Sequence, residues 1–421
     1  MAGFDYATAA TPILKEVYLP AMQELLNNAT PLLKVIEKEI QPVEGGNFVV
    51  AIHRGRNQAA GIGRAEDATL PTAGYQGYVR ALVPVKQLYS RIRVSGKAIA
   101  ATKSNKGSFV RAIESEMKGV MEDTKRSLNR QVNGDGTGAL AYWTTADNTL
   151  PAVTVDDGLG NGNSYAYDAV GPTAISCDLV DASDHTTLLN TGALSVTRGA
   201  RVTASFDIAV TGGTVSGTAD GDYLVYRDSA RTEMVGIQGV ISNANPLTLS
   251  GGLHGLPVAT YPDWSAQVIG SDSSRVDLTF ESMQQLVSQV VSESGIDERE
   301  IKLWHCHPSM RDTYVKLCRD ERVFQNNMKL DGGWETVAYN GRPIAVDVQA
   351  RRNAMFLITP SSLAIAQMAP LDWIDKDGSV FYRISGGDVD AFGATAYVYQ
   401  ELMCKVRNQN GVLLGLNDIW T

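Results

Sequence analysis

The stretch SFVRAIESEMKGVMEDTKRSLNRQVNGDGTG, from Ser108 to Gly138, decides how the rest of the chain is read. Phe109, Ile113, Met117, Val120, Met121, Thr124, Leu128 and Val132 recur at helical spacing on one stripe, while Lys118, Glu122, Lys125, Arg126 and Arg130 occupy the other faces. Ser108 fits an N-cap, and Asn133-Gly134 supplies a left-handed stop. At 1.5 Å per residue the predicted helix runs roughly 37 Å, long enough to serve as a spine across a thin plate.

Upstream, a strand-like run from Phe48 to Ile52 is answered by a longer alternating run from Tyr78 through Val83 and Val85 to Ile92 and Val94. The residues between, His53 to Gly77, far exceed the two to five of an ordinary hairpin loop, roughly by a factor of five. Rich in Gly, Ala, Arg and Asp, they carry too little apolar surface for a core of their own, so their order is expected to come from a neighbouring subunit. The opening reads as helix, with Ile13, Val17, Met22, Leu25, Leu26, Leu32, Leu33 and Ile36 at near-helical spacing, interrupted by Pro20 and Pro31 and stopped by Pro42 and Gly45-Gly46.

Downstream, from Trp143 to Asp272, the chemistry changes to Gly, Thr, Ser, Asp and Val. Short runs at Ala204–Val210, Tyr223–Tyr226 and Met234–Ile237 are expected as strands of a sandwich or a small barrel. The last third predicts a helix around Met283–Val291, a strand at Ile301–His305, a helix from Pro308 to Leu317, strands at Pro343–Val346 and Ala354–Ile358, and a long strand from Ala391 to Val406. The class is α+β with an all-β insertion.

With 44% hydrophobic and 20% charged residues in 421, the chain is a folded protein and not a disordered, collagenous or coiled-coil one. No window approaches the roughly 18 to 20 apolar residues of a membrane span, and the first residues lack a signal-peptide pattern, so synthesis and retention in the cytosol are expected. Cys177, Cys306, Cys318 and Cys404 have no CxxC spacing and read as small buried hydrophobes. The net charge of -9 is unevenly spread: the first third is basic, whereas Trp143–Arg275 holds five basic against fourteen acidic side chains and no lysine. One surface therefore tolerates phosphate and another repels it.

Chemistry-bearing constellations are weak. His305 and His307 would share one side of a strand as two metal ligands could, but no third ligand stands at a recognisable spacing, and Pro308 reads as a helix start. Gly134-Asp-Gly-Thr-Gly138 follows a helix and is not followed by Lys, so it reads as a helix stop and not a phosphate cradle. Gly61-Ile-Gly63 lacks the third glycine of a dinucleotide fingerprint, no GxSxG elbow occurs, and the pairs Glu66-Asp67 and Asp375/Asp377 read as solvated or intersubunit partners. Catalytic residues, metal and cofactor are all expected to be none. The dispersed basic residues of the first third, without interleaved aromatics, suit at most weak phosphate contact.

The order of these elements resembles the major capsid proteins of tailed bacteriophages with the HK-ninety-seven-like fold: N-terminal arm (1–46), extended E-loop hairpin (47–95), spine helix and start of the peripheral P-domain (96–142), insertion (143–272), mainly axial A-domain (273–365) and P-domain closure with the C-terminus (366–421). The helix stop at Gly134–Gly138 looks like the family's. The Leu-x-Gly-Leu turn that commonly follows it has its counterpart in Leu253-His-Gly-Leu-Pro257, about 114 residues later, which independently locates the insertion. Leu330-Asp-Gly-Gly-Trp and Tyr339-Asn-Gly-Arg-Pro-Ile-Ala-Val346 resemble the A-domain's order.

The resemblance implies a virion protein, assembled in the host cytoplasm, whose copies form pentamers and hexamers of an icosahedral shell around double-stranded DNA. Implied partners are other copies, a portal protein, a separate scaffolding protein and decoration proteins, with non-specific contact to the packaged DNA. The span His53–Val85 has no lysine for an E-loop cross-link, so covalent chain-mail is not expected. Arg54, Arg56, Arg64, Glu66 and Asp67 are expected to form intersubunit ion pairs, and the acidic insertion to project outward. An encapsulin, a tail or adhesin protein and a metal-dependent hydrolase using His305 and His307 are the competing readings.

Overall fold

The computed structural model describes residues 31–39, 46–95, 106–144, 152–156, 173–201, 206–241, 252–320, 327–330, 334–375, 382–384 and 391–419. The opening helix expected from Ile13 lies outside these residues except for Pro31–Val35. Leu32, Leu33 and Ile36 of that segment are buried in the largest core cluster.

The spine helix spans Lys106–Asn133, two residues earlier at its start than Ser108 and, at 1.5 Å per residue, roughly 42 Å long. It lies on a five-stranded sheet whose axis is the fourteen-residue strand Ala391–Cys404. That strand pairs antiparallel with Lys86–Ser95 along one side and with Leu363–Trp373 and Tyr382–Arg383 elsewhere, while Glu37–Glu39 adds a parallel edge. Leu128 and Val132 share one core cluster with Ile92, Ala394 and Ala396, and the two alanines leave room for the helix to approach the sheet closely. The Ser90 and Thr124 hydroxyls meet at 2.6 Å between strand and helix.

The alternating run read as one strand from Tyr78 to Val94 is divided. Gly77–Pro84 pairs with Asn47–Gly55 to make the hairpin, and Lys86–Ser95 leaves it to enter the five-stranded sheet. The hairpin therefore ends near Pro84 and not at Ser95. Period two runs through both segments, but its phase shifts between Val85 and Lys86, two successive half-buried residues, and that shift marks the change of partner.

The insertion is a closed six-stranded barrel of Ala141–Trp143, Ala152–Asp156, Ile175–Val180, Leu194–Arg201, Phe206–Thr211 and Tyr223–Tyr226, which resolves the choice between sandwich and barrel. Trp143, Val155, Cys177, Leu179, Val196, Ile208 and Leu224 fill it. The barrel closes at Tyr226, well before the expected limit at Asp272. Met234–Ile237, expected as a strand, runs into the short helix Ile237–Ile241, and Met234, Ile237, Val240 and Ile241 return to the main core. Buried positions there recur with helical, not alternating, spacing.

Gly236 explains the fit: a Cβ on it would stand 2.2 Å from the Gln131 carbonyl oxygen and 2.3 Å from that of Val132. Gly236→Ala is expected to cost about 1–3 kcal/mol through forced displacement of the spine helix end, read as a lower urea midpoint. An unchanged midpoint would show that this contact is not tight.

A seven-stranded sheet forms the other half, in the order Gln267–Ile269, Gly411–Leu414, Ala354–Ile358, Leu303–Cys306, Arg342–Val346, Trp334–Tyr339 and Asn327–Leu330. Helices Phe280–Ser294 and Pro308–Asp320 cover it with Met283, Leu286, Val290, Met310 and Tyr314 against Trp304, Ile344 and Leu357. A capping box between Thr279 and Ser282 starts the first of these helices, and Gly295 in the left-handed region ends it. Gln267–Ile269 and Gly411–Leu414 lie outside the expected 273–365 segment yet complete this sheet. Leu363–Trp373, which the sequence reading did not identify as a strand, crosses the expected boundary at 365/366 and belongs to the five-stranded sheet.

Candidate functional site

The hairpin is the feature without a self-contained explanation. At its base, Phe48, Ala81 and Val83 are buried, Phe48 and Val83 against Ala364, Ala366 and Met403 of the five-stranded sheet. Further out, Val50, Ile52 and Val79 face Leu256, Tyr261 and Trp264 across a cleft of about 470 Å3. Beyond Gly55 and Gly77, which face each other in register, the chain makes no strand, and Ile62, Leu70 and Tyr75 are exposed, Tyr75 at 87%. Large apolar groups held this far from any core are characteristic of a surface that meets another molecule.

The motif Leu253-His-Gly-Leu-Pro257 anchors the base. His254 sits in the left-handed region (φ 56°), accepts the Leu82 N–H on its carbonyl at 2.9 Å, and accepts the Cys404 N–H on Nε2 at 3.0 Å. Because Nε2 accepts, the ring is neutral with its proton on Nδ1. Burial pushes its pKa down to about 3, with the Arg407 guanidinium adding to the shift. The turn thus ties the hairpin to the long central strand through one imidazole.

The five residues expected to make intersubunit pairs separate into two groups. Arg54 has partners on its own chain: Nε lies 3.1 Å from Asp263 Oδ2, and the guanidinium stands 4.8 Å from the centre of the Tyr261 ring. Arg56, Arg64, Glu66 and Asp67 are exposed on the tip and make no ion pair among the described residues. Asp67 adopts φ 61°, placing the acidic pair on a tight turn. The Asp263 and Tyr261 partners of Arg54 were not legible, since more than two hundred residues intervene.

His305 and His307 lie in a strand-to-helix junction. His305 Nε2 is 2.6 Å from Asn133 Oδ1 at the end of the spine helix, and Asn133 Nδ2 donates to Asp347 Oδ2 at 3.2 Å. Asn129 Nδ2 and the Gln349 N–H hold the other Asp347 oxygen, both at 2.9 Å. His307 Nδ1 meets the Ser309 hydroxyl at 2.9 Å. His305 therefore clamps the seven-stranded sheet to the spine helix, and His307 caps the start of the helix that follows its own strand. Among the described residues no three His, Cys, Asp or Glu side chains stand close enough to hold a metal. In Gly134–Gly138, the Asp135 carboxylate caps the Thr137 N–H and hydroxyl, turning the chain out of the helix and into the barrel. All four cysteines are free and buried, and burial pushes the thiols of Cys177, Cys306 and Cys404 up to about 12.

Burial depresses His305 to about 4, against an Asp347 charge that opposes the shift. The unfolded chain binds this proton near the ordinary value of roughly 6.5 and the folded chain does not. Its contribution is therefore full above that pH and is lost as pH falls toward 4. Denaturant unfolding of the chain is expected to show less stability at pH 5 than at pH 7, with a smaller difference in His305→Gln. An equal difference in the variant would remove His305 from the account.

No protein-family model and no curated protein matches the chain. Solved structures do. A capsid chain from the cyanophage A-1(L) capsid asymmetric unit superposes with a TM-score of 0.55 at 12% identity, covering 92% of this chain and 93% of that one. A chain of Gordonia phage Cozz gives 0.41 at 12% identity (92% and 86% covered), and the SrpI encapsulin of Synechococcus elongatus 0.42 at 9% (92% and 87%). The fold is the HK-ninety-seven-like capsid fold in its α+β form, here carrying a closed barrel after the spine helix. Among the described residues, no helix is long and apolar enough to cross a membrane.

Proposed function

We propose that this chain is the major capsid protein of a tailed bacteriophage, many copies of which close as pentamers and hexamers into an icosahedral head around double-stranded DNA. The observation that carries this reading is the correspondence with the cyanophage capsid chain over nearly the full length of both. The exposed apolar hairpin tip supports it independently, because a subunit of a shell must present surface that only another copy covers. The role is structural and not catalytic. Rings arise when a head-to-tail contact rotates and closes, and one chain serves both ring sizes if its joints flex slightly.

Within this reading the acidic barrel projects outward, away from DNA. A portal protein, a separate scaffolding protein and decoration proteins complete the head, and DNA is met only through non-specific phosphate contact. Purified protein, imaged by electron microscopy at rising concentration, is expected to give closed particles, and particles from infected cells to protect DNA from nuclease. Protein cargo in place of DNA would favour a cellular compartment, and tubes or fibres would contradict the reading.

A further inference from the structure

Ile52 and Val79 stand opposite each other in the hairpin's register, and Val50 shares their face two residues along. All three line the cleft at the hairpin base and are only half-buried, although each packs against the main core. The facing wall is Leu256, Tyr261 and Trp264. Trp264 ends the short turn Pro262–Trp264, and Asn408 sits in a second one, Arg407–Gln409, that packs against it. Arg407 fixes this second turn by donating from Nε to the Val240 carbonyl oxygen at 2.6 Å. Of the charged groups on the walls, Arg54 and Asp263 pair with each other at 3.1 Å, and Lys405 is not free either.

Two polar atoms on these walls are shut from solvent and have no hydrogen-bond partner among the described residues. They are the Nε1 of Trp264, a residue 6% exposed, and the Oδ1 of Asn408. An indole N–H only donates and an amide oxygen only accepts, and leaving either unpaired in a buried place is costly. One secondary amide complements both, with its carbonyl oxygen for the indole and its N–H for Asn408. We propose that the cleft binds a small uncharged molecule with one secondary amide between two apolar arms, which lie against Ile52 and Val79 on one side and Leu256 and Tyr261 on the other. Its volume of about 470 Å3 is that of a small-molecule pocket. An extended polypeptide presents an N–H and a carbonyl at every residue, whereas the side chains of these walls hold one unpaired donor and one unpaired acceptor among the described residues. Asn408 is half-buried and its amide turns broadly about χ2, so its oxygen can follow the ligand. Because one wall is hairpin and the other is body, a bound molecule braces the hairpin at its base. The inference stands on the cleft of a single subunit and does not depend on the shell reading.

Titration of the full chain with N-benzylbutanamide, followed by calorimetry and hydrogen exchange, tests it. Saturable binding is expected, with slowed exchange confined to residues 50–54, 256–264 and 405–408. Benzyl butanoate keeps the carbonyl and lacks the N–H, and is expected to bind about tenfold more weakly. In Asn408→Leu the amide and the ester are expected to bind alike, and Ile52→Trp, which fills the cleft from the hairpin side, is expected to abolish binding. Equal affinity of the parent for amide and ester would overturn the proposal, as would an amide preference that survives Asn408→Leu or binding that survives Ile52→Trp in a folded chain. A folded subunit that shows no saturable binding would overturn it too, leaving the cleft to a segment of another protein. None of these readouts involves assembly, so failure here leaves the shell reading standing.

Discussion

Replacing Arg56–Gln76 by Asn-Gly is expected to abolish shell formation and leave the subunit folded. Gly55 and Gly77 already face each other across the ladder, with a Cβ on either falling 3.2 Å from the other's backbone, so a two-residue turn can close the hairpin there. The shortened hairpin keeps Phe48, Ala81 and Val83 in place and loses only surface that the chain does not cover itself. If the tip buries roughly 200 Å2 of apolar surface on a neighbour, at about 25 cal/mol per Å2 that is an upper bound of about 5 kcal/mol per contact. A loss of that size corresponds to roughly three to four powers of ten in association at each contact. Such a loss is repeated at every boundary in the shell. Sedimentation should show monomer where the parent forms particles; particles of normal size from the shortened chain would remove the hairpin from the mechanism.

The second large effect concerns the joint between barrel and spine. Arg130, on the spine helix, pairs with Glu233, both side chains less than a tenth exposed, and donates to the Ala139 carbonyl oxygen beside the Tyr226 ring. Arg130→Met leaves the Glu233 carboxylate buried without its cation, at an expected cost of about 3–5 kcal/mol. Arg130→Met with Glu233→Leu removes both charges and is expected to recover most of that loss. Urea unfolding of the three chains checks this. A single variant as stable as the parent, or a double variant no better than the single, would show that the pair does not secure the barrel.

The spine helix, the hairpin and most elements of the last third were legible because each repeats a local period that burial enforces. The alternation of Gly77–Pro84 and the stripe from Val120 to Val132 are examples. What local pattern could not give was partnership. The residues Lys86–Ser95 alternate like the hairpin, in shifted phase, but pair with a strand three hundred residues away, which no local pattern names. Met234–Ile237 alternates over four residues, too few to separate strand from helix entry, and its close approach through Gly236 to the spine decides the matter. Leu363–Trp373 was overlooked because its ladder is irregular, with shifts of register around Ala369 that break the alternation.

The candidate site divides in the same way. Exposure of the tip followed from its composition, since a segment this poor in apolar residues cannot bury itself. The fate of Arg54 did not, because Asp263 and Tyr261 reach it only through the fold. The contact between Tyr89 and Tyr399 was equally hidden, since only the register of the central strand brings the two rings together.

A cryo-electron-microscopic reconstruction of assembled particles, at a resolution that traces the backbone, tests the central claim most directly. The account predicts a closed shell in which every hairpin tip lies against an adjacent copy. A particle whose tips stand free in solvent or fold back on their own subunit, or a chain that stays monomeric at every concentration imaged, would contradict it.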